Sequence, residues 1–204
     1  MRCLLIAMTA LMIVGCRSKD QNEITDLYND AYKALRAKEY RRLSELLDSK
    51  TLAYYETLRK LTISKDVRRL KATGLMAYIT YLGVKDRINE DALKEMSAKD
   101  FFVSCYGENA KKGMRGGRID DIDVTGDRAT CTIVAKDGSK VEGWTFYRED
   151  GVWKFNVVDL LERMETEVVS RWKSTGGTVD SLYAECESEL EEKNSSRQGS
   201  NDRQ

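Results

Sequence analysis

The sequence predicts an α+β domain: N-terminal helices packed on a four-stranded antiparallel meander sheet, followed by C-terminal helices. Three observations carry this. Apolar residues recur at helical spacing from Ile24 to Phe102. Between Ile122 and Val157 the period drops to two. Asp-Gly occurs twice between alternating runs, at Asp137-Gly138 and Asp150-Gly151, and such a pair is among the strongest short hairpin signals.

Near its start the chain carries Arg2 and an apolar run from Leu4 to Val14, interrupted only by Thr9. That run has the length of a signal-peptide core, roughly half of the ~20 residues a membrane-spanning helix needs. It ends in Ile13-Val14-Gly15-Cys16, which resembles the lipobox of bacterial lipoprotein signals. The resemblance implies diacylglycerol on the Cys16 thiol, cleavage before Cys16, and palmitate or a similar acyl chain on the new amine. Two or three buried acyl chains hold a protein on a membrane far more firmly than one. Arg17 stands where enteric bacteria place Asp to retain a lipoprotein at the inner membrane. The expected address is therefore the cell envelope, facing the periplasm or exterior, with the outer membrane favoured in a Gram-negative host. Residues 1–15 are expected to be the signal peptide and 16–21 a lipid-anchored tether.

Residues 22–193 are expected to form one domain: a helical lobe over 22–106, the sheet over 118–158 and helices over 159–193. Asp20 to Glu23 has capping-box character, with Asp in place of Ser or Thr, and Ile24, Leu27, Tyr28, Ala31, Tyr32 and Leu35 form a helical stripe. A short helix is predicted over Tyr40–Leu47, and another with Leu52, Tyr55, Leu58 and Leu61 on one face. Ser64 is expected to cap a helix running through Val67 and Leu70 to Leu82, stopped by Gly83. Asn89 starts the last predicted helix of the lobe, through Leu93, Met96, Phe101 and Phe102. After the glycine-rich basic loop Gly107–Arg118, the strands carry Ile122 and Val124, then Ala129 to Ala135, Val141–Tyr147, and Trp153 to Val157. Asp159, with Glu162 three residues on, reads as the cap of a helix through Val168 and Trp172 that Gly176-Gly177 ends. A last helix is predicted over Val179–Lys193, and the polar tail 194–204 is expected to be disordered.

Two stretches of the sheet, Ile122 to Cys131 and Phe146 to Phe155 (Phe-x-x-Glu-Asp-Gly-x-Trp-Lys-Phe), resemble lipoproteins of the nuclear-transport-factor-2-like, or cystatin-like, superfamily. The resemblance implies a curved sheet wrapped around N-terminal helices as a cone with an open mouth. Some members of that superfamily are isomerases or dehydratases that use Asp and Tyr inside the cone. The chain departs from the pattern in its long helical insert, Leu52 to Cys105, and in the helices after the last strand.

The 204-residue chain has no histidine, which excludes Ser-His-Asp and Cys-His catalysis and the commonest transition-metal ligand. No site is expected for a cofactor or a metal. Asp121-x-Asp123-x-Thr125-Gly126 matches the first half of a calcium loop, but position twelve is Thr132 where a bidentate Glu belongs. The basic loop, with Lys111, Lys112, Arg115 and Arg118, has no Gly-Lys-Ser/Thr and leads into a strand, so it reads as a connector and not a phosphate cradle. Tyr147 and Glu142 are acid–base candidates by type, but five positions apart on one strand they fall on opposite faces. Trp144 and Trp153 read as packing residues. Of the five cysteines, Cys105, Cys131 and Cys186 stay in the mature chain as structural thiols, their pairing left open.

Charge is uneven. Residues 17–118 hold 22 Lys and Arg against 15 Asp and Glu, whereas 119–204 hold 11 against 19. The basic lobe sits next to the lipid site, which suggests contact with anionic head groups; nucleic acid is not an expected partner. These features favour a non-enzymatic envelope lipoprotein that binds a protein, lipid or small ligand. The alternative is a small-molecule isomerase or dehydratase using carboxylate and tyrosine.

Overall fold

The computed structural model of the chain describes residues 17–106 and 117–201. The signal-like segment, Cys16 and, in the basic loop, Lys111, Lys112 and Arg115 lie outside the described residues. The fold is α+β, with an antiparallel sheet between N-terminal and C-terminal helices.

Helix α1 (Lys19–Ala37) buries Ile24, Tyr28, Ala31 and Ala34, an i, i+4, i+7, i+10 stripe. Its capping box is Ser18 with Gln21, two residues before the predicted Asp20–Glu23 pair. The Ser18 hydroxyl accepts from the Gln21 amide at 3.2 Å and the Gln21 side chain accepts from the Ser18 amide at 2.9 Å. Asp20 is thereby freed for the sheet, where it meets Arg148 at 2.6 Å and accepts from Trp153 Nε1 at 3.3 Å. Helix α2 (Tyr40–Glu45) is short, and Asp48 caps α3 (Ser49–Ser64) by accepting from the Thr51 amide.

The single helix predicted from Ser64 to Leu82 is two. Asp66, not Ser64, caps α4 (Val67–Thr73), and Gly74, at φ 137°, breaks the run before α5 (Leu75–Val84), which passes through Gly83. That backbone angle is open to glycine and strained for other residues. Asn89 caps α6 (Glu90–Glu95) as its side chain predicts, but Met96 is extended, so Phe101 and Phe102 belong to a separate α7 (Ala98–Tyr106).

Strands β1 (Gly117–Thr125), β2 (Arg128–Ala135), β3 (Lys140–Glu149) and β4 (Val152–Asn156) pair antiparallel in the order β1-β2-β3-β4. Asp150 and Gly151 both have positive φ, 51° and 79°, as a two-residue turn between right-twisted strands requires. Beside these four strands lies a further pairing that the sequence did not predict. Leu47 forms a single parallel bridge to Phe155, fixed by Phe155 N donating to Leu46 O at 2.8 Å and Asp48 N to Phe155 O at 3.0 Å. A chain leaving a short helix has no alternation to announce such a contact. Past β4, α8 (Val158–Ser174) and α9 (Val179–Asn201) form a helical hairpin against α5. Asn156 Oδ1, and not Asp159, caps α8, accepting from the Asp159 amide at 2.7 Å. Helix α9 runs eight residues past the predicted end at Lys193.

Candidate functional site

The two faces of the sheet differ. On one, Ala129, Cys131, Trp144, Phe146, Trp153 and Phe155 are buried against Ile24, Tyr28 and Ala31 of α1. Tyr28 meets Trp144 edge-on at 4.9 Å between ring centroids, and Trp144 stacks on Phe155 at 4.2 Å. These side chains pack into the core of the domain.

The other face is polar. Asp121 and Asp123 of β1, Thr130 and Thr132 of β2 and Thr145 of β3 share it through the pairings Asp121–Thr132, Asp123–Thr130 and Thr130–Thr145. Helix α8 stands beside this face and contributes Asp159, Glu162, Arg163 and Thr166 to a groove of about 500 Å³ that Arg128 also lines. Extended backbone through Asp121 and Asp123 sets their carboxylates along a strand rather than around an ion. Among the described residues, no group of three His, Cys, Asp or Glu side chains is placed to hold a metal.

A β-bulge shapes the groove. Between Thr130 and Thr132 the partner on β3 moves from Thr145 to Glu142, so Gly143 and Trp144 both face Cys131. The Trp144 amide donates to the Cys131 sulfur at 3.3 Å, and Arg163 of α8 donates to the Gly143 carbonyl. A Cβ at position 143 would lie 1.9 Å from the Cys131 carbonyl oxygen, so only glycine fits. The extra residue also corrects the parity expected for Tyr147 and Glu142. Tyr147 pairs with Arg128 and Glu142 with Thr132, four apart on β2, so the two register positions share one face.

At one end of the groove a polar knot ties α3 to the β4–α8 junction. Buried Asn156 donates to buried Asp48 at 2.5 Å, and the Val157 amide donates to the Thr51 hydroxyl at 3.0 Å. Asp159 accepts from Lys50 Nζ at 2.8 Å and from the Tyr147 hydroxyl at 3.2 Å. The hydrogen bond to Asp159 holds the Lys50 pKa above the ordinary lysine range. The arrangement brings together a carboxylate, an ammonium and a phenol, which can orient a polar ligand or pass a proton between them.

Elsewhere the chemistry is quiet. Burial raises the Cys131 thiol to about 11 and the Cys105 thiol to about 12, so both remain protonated at neutral pH and are poor nucleophiles. Cys105, Cys131 and Cys186 carry no disulfide. The displaced carboxyls, including Asp20, Glu45, Asp100, Asp120 and Glu187, are displaced downward by hydrogen bonds and nearby cations. A second hollow of about 590 Å³ lies at the ends of α3 and α5 beside α6, where Lys65, Lys85 and Arg87 adjoin Asp86 and Glu90. Among the described residues, no helix is long and apolar enough to cross a membrane. No protein-family model, curated protein or solved structure matches the chain.

Of the residues singled out in the sequence, Trp144 and Trp153 lie in the core, while Asp121, Asp123 and Tyr147 meet at or beside the groove. Sequence reasoning missed Asp159 and Lys50 as its neighbours. Asp159 carried a helix-cap signal that masked its other role, and Lys50 is one lysine among many.

Proposed function

We propose that the protein is a lipid-anchored envelope lipoprotein, tethered through Cys16, whose folded domain is a non-enzymatic binding module. The observation that carries this reading is Ile13-Val14-Gly15-Cys16 at the end of a short apolar run behind Arg2. The groove beneath α8 supports the second half of the proposal. It offers carboxylates, arginines and threonine hydroxyls on a rigid sheet, suited to a polar partner, be it a small ligand, a lipid head group or a protein loop. The domain is read as a divergent member of the nuclear-transport-factor-2-like group, with the cone filled and the polar groove outside it. The protein is placed in the cell envelope, at the outer membrane of a Gram-negative host.

The test is the mature N-terminus. Expressed in a bacterium with lipoprotein processing, the chain should begin at Cys16, carry a diacylglyceryl mass there and incorporate alkyne-palmitate. Cys16→Ala should remain an unlabelled precursor. Palmitate labelling of Cys16→Ala, or a mature protein starting elsewhere, would sink the proposal.

A second reading, an isomerase or dehydratase, is favoured by one observation: the Tyr147 hydroxyl on Asp159, with Lys50 on the same carboxylate. It requires those groups to act on a bound substrate. Asp159→Asn and Tyr147→Phe would then each abolish turnover while leaving ligand affinity within a few-fold.

A further inference from the structure

We infer that the domain meets the bilayer with the end of the sheet that carries the β1–β2 and β3–β4 turns, and holds the β2–β3 turn away from it. The inference rests on lipidation of Cys16, but it concerns a surface that the lipobox alone does not specify.

The tether is short. Ser18 is locked to α1 by its capping box, and the Arg17 guanidinium donates to the Thr25 hydroxyl at 3.1 Å. Only Cys16 and Arg17 separate the acyl chains from fixed structure, a reach of at most about 7 Å. The start of α1 is therefore held at the level of the head groups.

Contacts of the first turn of α1 identify its neighbours. Asp20 binds Arg148 at 2.6 Å and Trp153 at 3.3 Å, and Gln21 Nε2 donates to the Ile122 carbonyl at 3.1 Å. The Arg148 amide donates to Asp127 O at 2.8 Å. These residues flank Gly126-Asp127 and Asp150-Gly151, the two turns at one end of the meander. Helix α1 runs from there toward the other end, where the Tyr28 hydroxyl reaches Gly117 O at 2.9 Å. In a meander the β2–β3 turn must lie at that far end, separated by the length of β2, roughly 26 Å at 3.3 Å per residue.

Charge at the tethered end is nearly balanced: Arg17, Lys19, Arg128 and Arg148 stand beside Asp20, Glu23, Asp127, Glu149 and Asp150. Val152, 56% exposed, is its apolar point. Tether length, and not attraction to anionic lipid, brings this face to the membrane.

The experiment uses the full, processed protein in phosphatidylcholine vesicles doped with a gadolinium-chelating lipid. Trifluoromethylphenylalanine replaces either Val152 or Val141, both exposed, the first beside the β3–β4 turn and the second beside the β2–β3 turn. Because the paramagnetic effect falls with the sixth power of distance and the two turns lie a strand length apart, ¹⁹F relaxation at 152 should exceed that at 141 by at least about tenfold. Adding phosphatidylglycerol should leave that ratio unchanged. Equal relaxation, a larger effect at 141, or a reversal with phosphatidylglycerol would overturn the inference. The mass of the Cys16 peptide from the same sample separates the two levels. An acylated Cys16 with the wrong relaxation pattern sinks only the orientation, whereas an unmodified Cys16 sinks both.

Discussion

Gly143 shapes the bulge beneath the groove, and Asn156 anchors the polar knot at the groove's end. At Gly143 a methyl group would need the space of the Cys131 carbonyl, which is strand backbone and cannot yield without breaking the β2–β3 ladder. Gly143→Ala should lower stability by about 2–4 kcal/mol, in the range of overpacking with backbone displacement, as read from urea unfolding. An unchanged midpoint would mean that the bulge relaxes freely. Asn156 is fully buried, and its amide joins Asp48 to the first turn of α8. Asn156→Ala leaves the Asp48 carboxylate without that donor inside the protein, a loss of about 2–3 kcal/mol. The same midpoint measurement checks it, and Asn156→Asp, which sets two carboxylates face to face, should do no better.

At the scale of elements, α8 and α9 dock through a mixed seam, with Leu182 and Tyr183 of α9 buried in the core and Leu160, Leu161 and Trp172 of α8 half-buried against it. Along α8 only Val158 is buried, and Met164 and Val168 are exposed. Beyond the Arg163 and Asp159 hydrogen bonds at the groove, two more polar clips hold the hairpin on. Glu165 of α8 accepts from the Met76 amide at 3.3 Å, in place of the side-chain cap that α5 lacks behind Gly74. On α9, Glu187 receives Lys71 at 3.1 Å and the Tyr78 hydroxyl, while Lys71 Nζ lies 4.6 Å from the Tyr78 ring centre and 5.1 Å from that of Tyr183. A carboxylate at a helix N-terminus satisfies free amides and the helix dipole together. Glu165→Ala should therefore raise hydrogen exchange in α8 and α9 several-fold while the sheet amides keep their protection. Exchange that rises equally in the sheet would show that the hairpin is part of the main cooperative unit.

For the whole molecule, the titration pattern predicts a wide pH plateau. Carboxyls such as Asp20 and Glu187 have lowered folded values, so their stabilisation is complete above their ordinary values of 3.8 and 4.5 and is withdrawn as pH falls through the lowered ones. Burial raises the thiols of Cys105 and Cys131 above their ordinary value of 9.0, so the stability they contribute is complete below that pH and is lost as pH rises toward about 11 and 12. With no histidine in the chain, no side chain titrates at its ordinary value between these limits. The melting temperature should hold level from about pH 5 to about pH 8.5 and drop on both sides. A step near neutrality would show that the displaced groups do not govern the profile.

The sequence by itself determined the order of helices and strands, both Asp-Gly turns and the buried side of β2, because each is a local pattern of a few consecutive residues. It also placed Asn89 as a cap and Trp144 and Trp153 in the core. Other features depended on residues far apart in the chain. The break at Gly74 is fixed by Glu165, 91 positions on, and the Leu47 bridge by Phe155. The bulge that brings positions 142 and 147 to one face depends on Cys131 and Arg163. Likewise Asp159 left its predicted cap for Lys50 and Tyr147 because Asn156 took that place. Periodicity records which side of an element is apolar. Only the tertiary structure decides which of two competing hydrogen-bond partners arrives, and that choice made the polar groove.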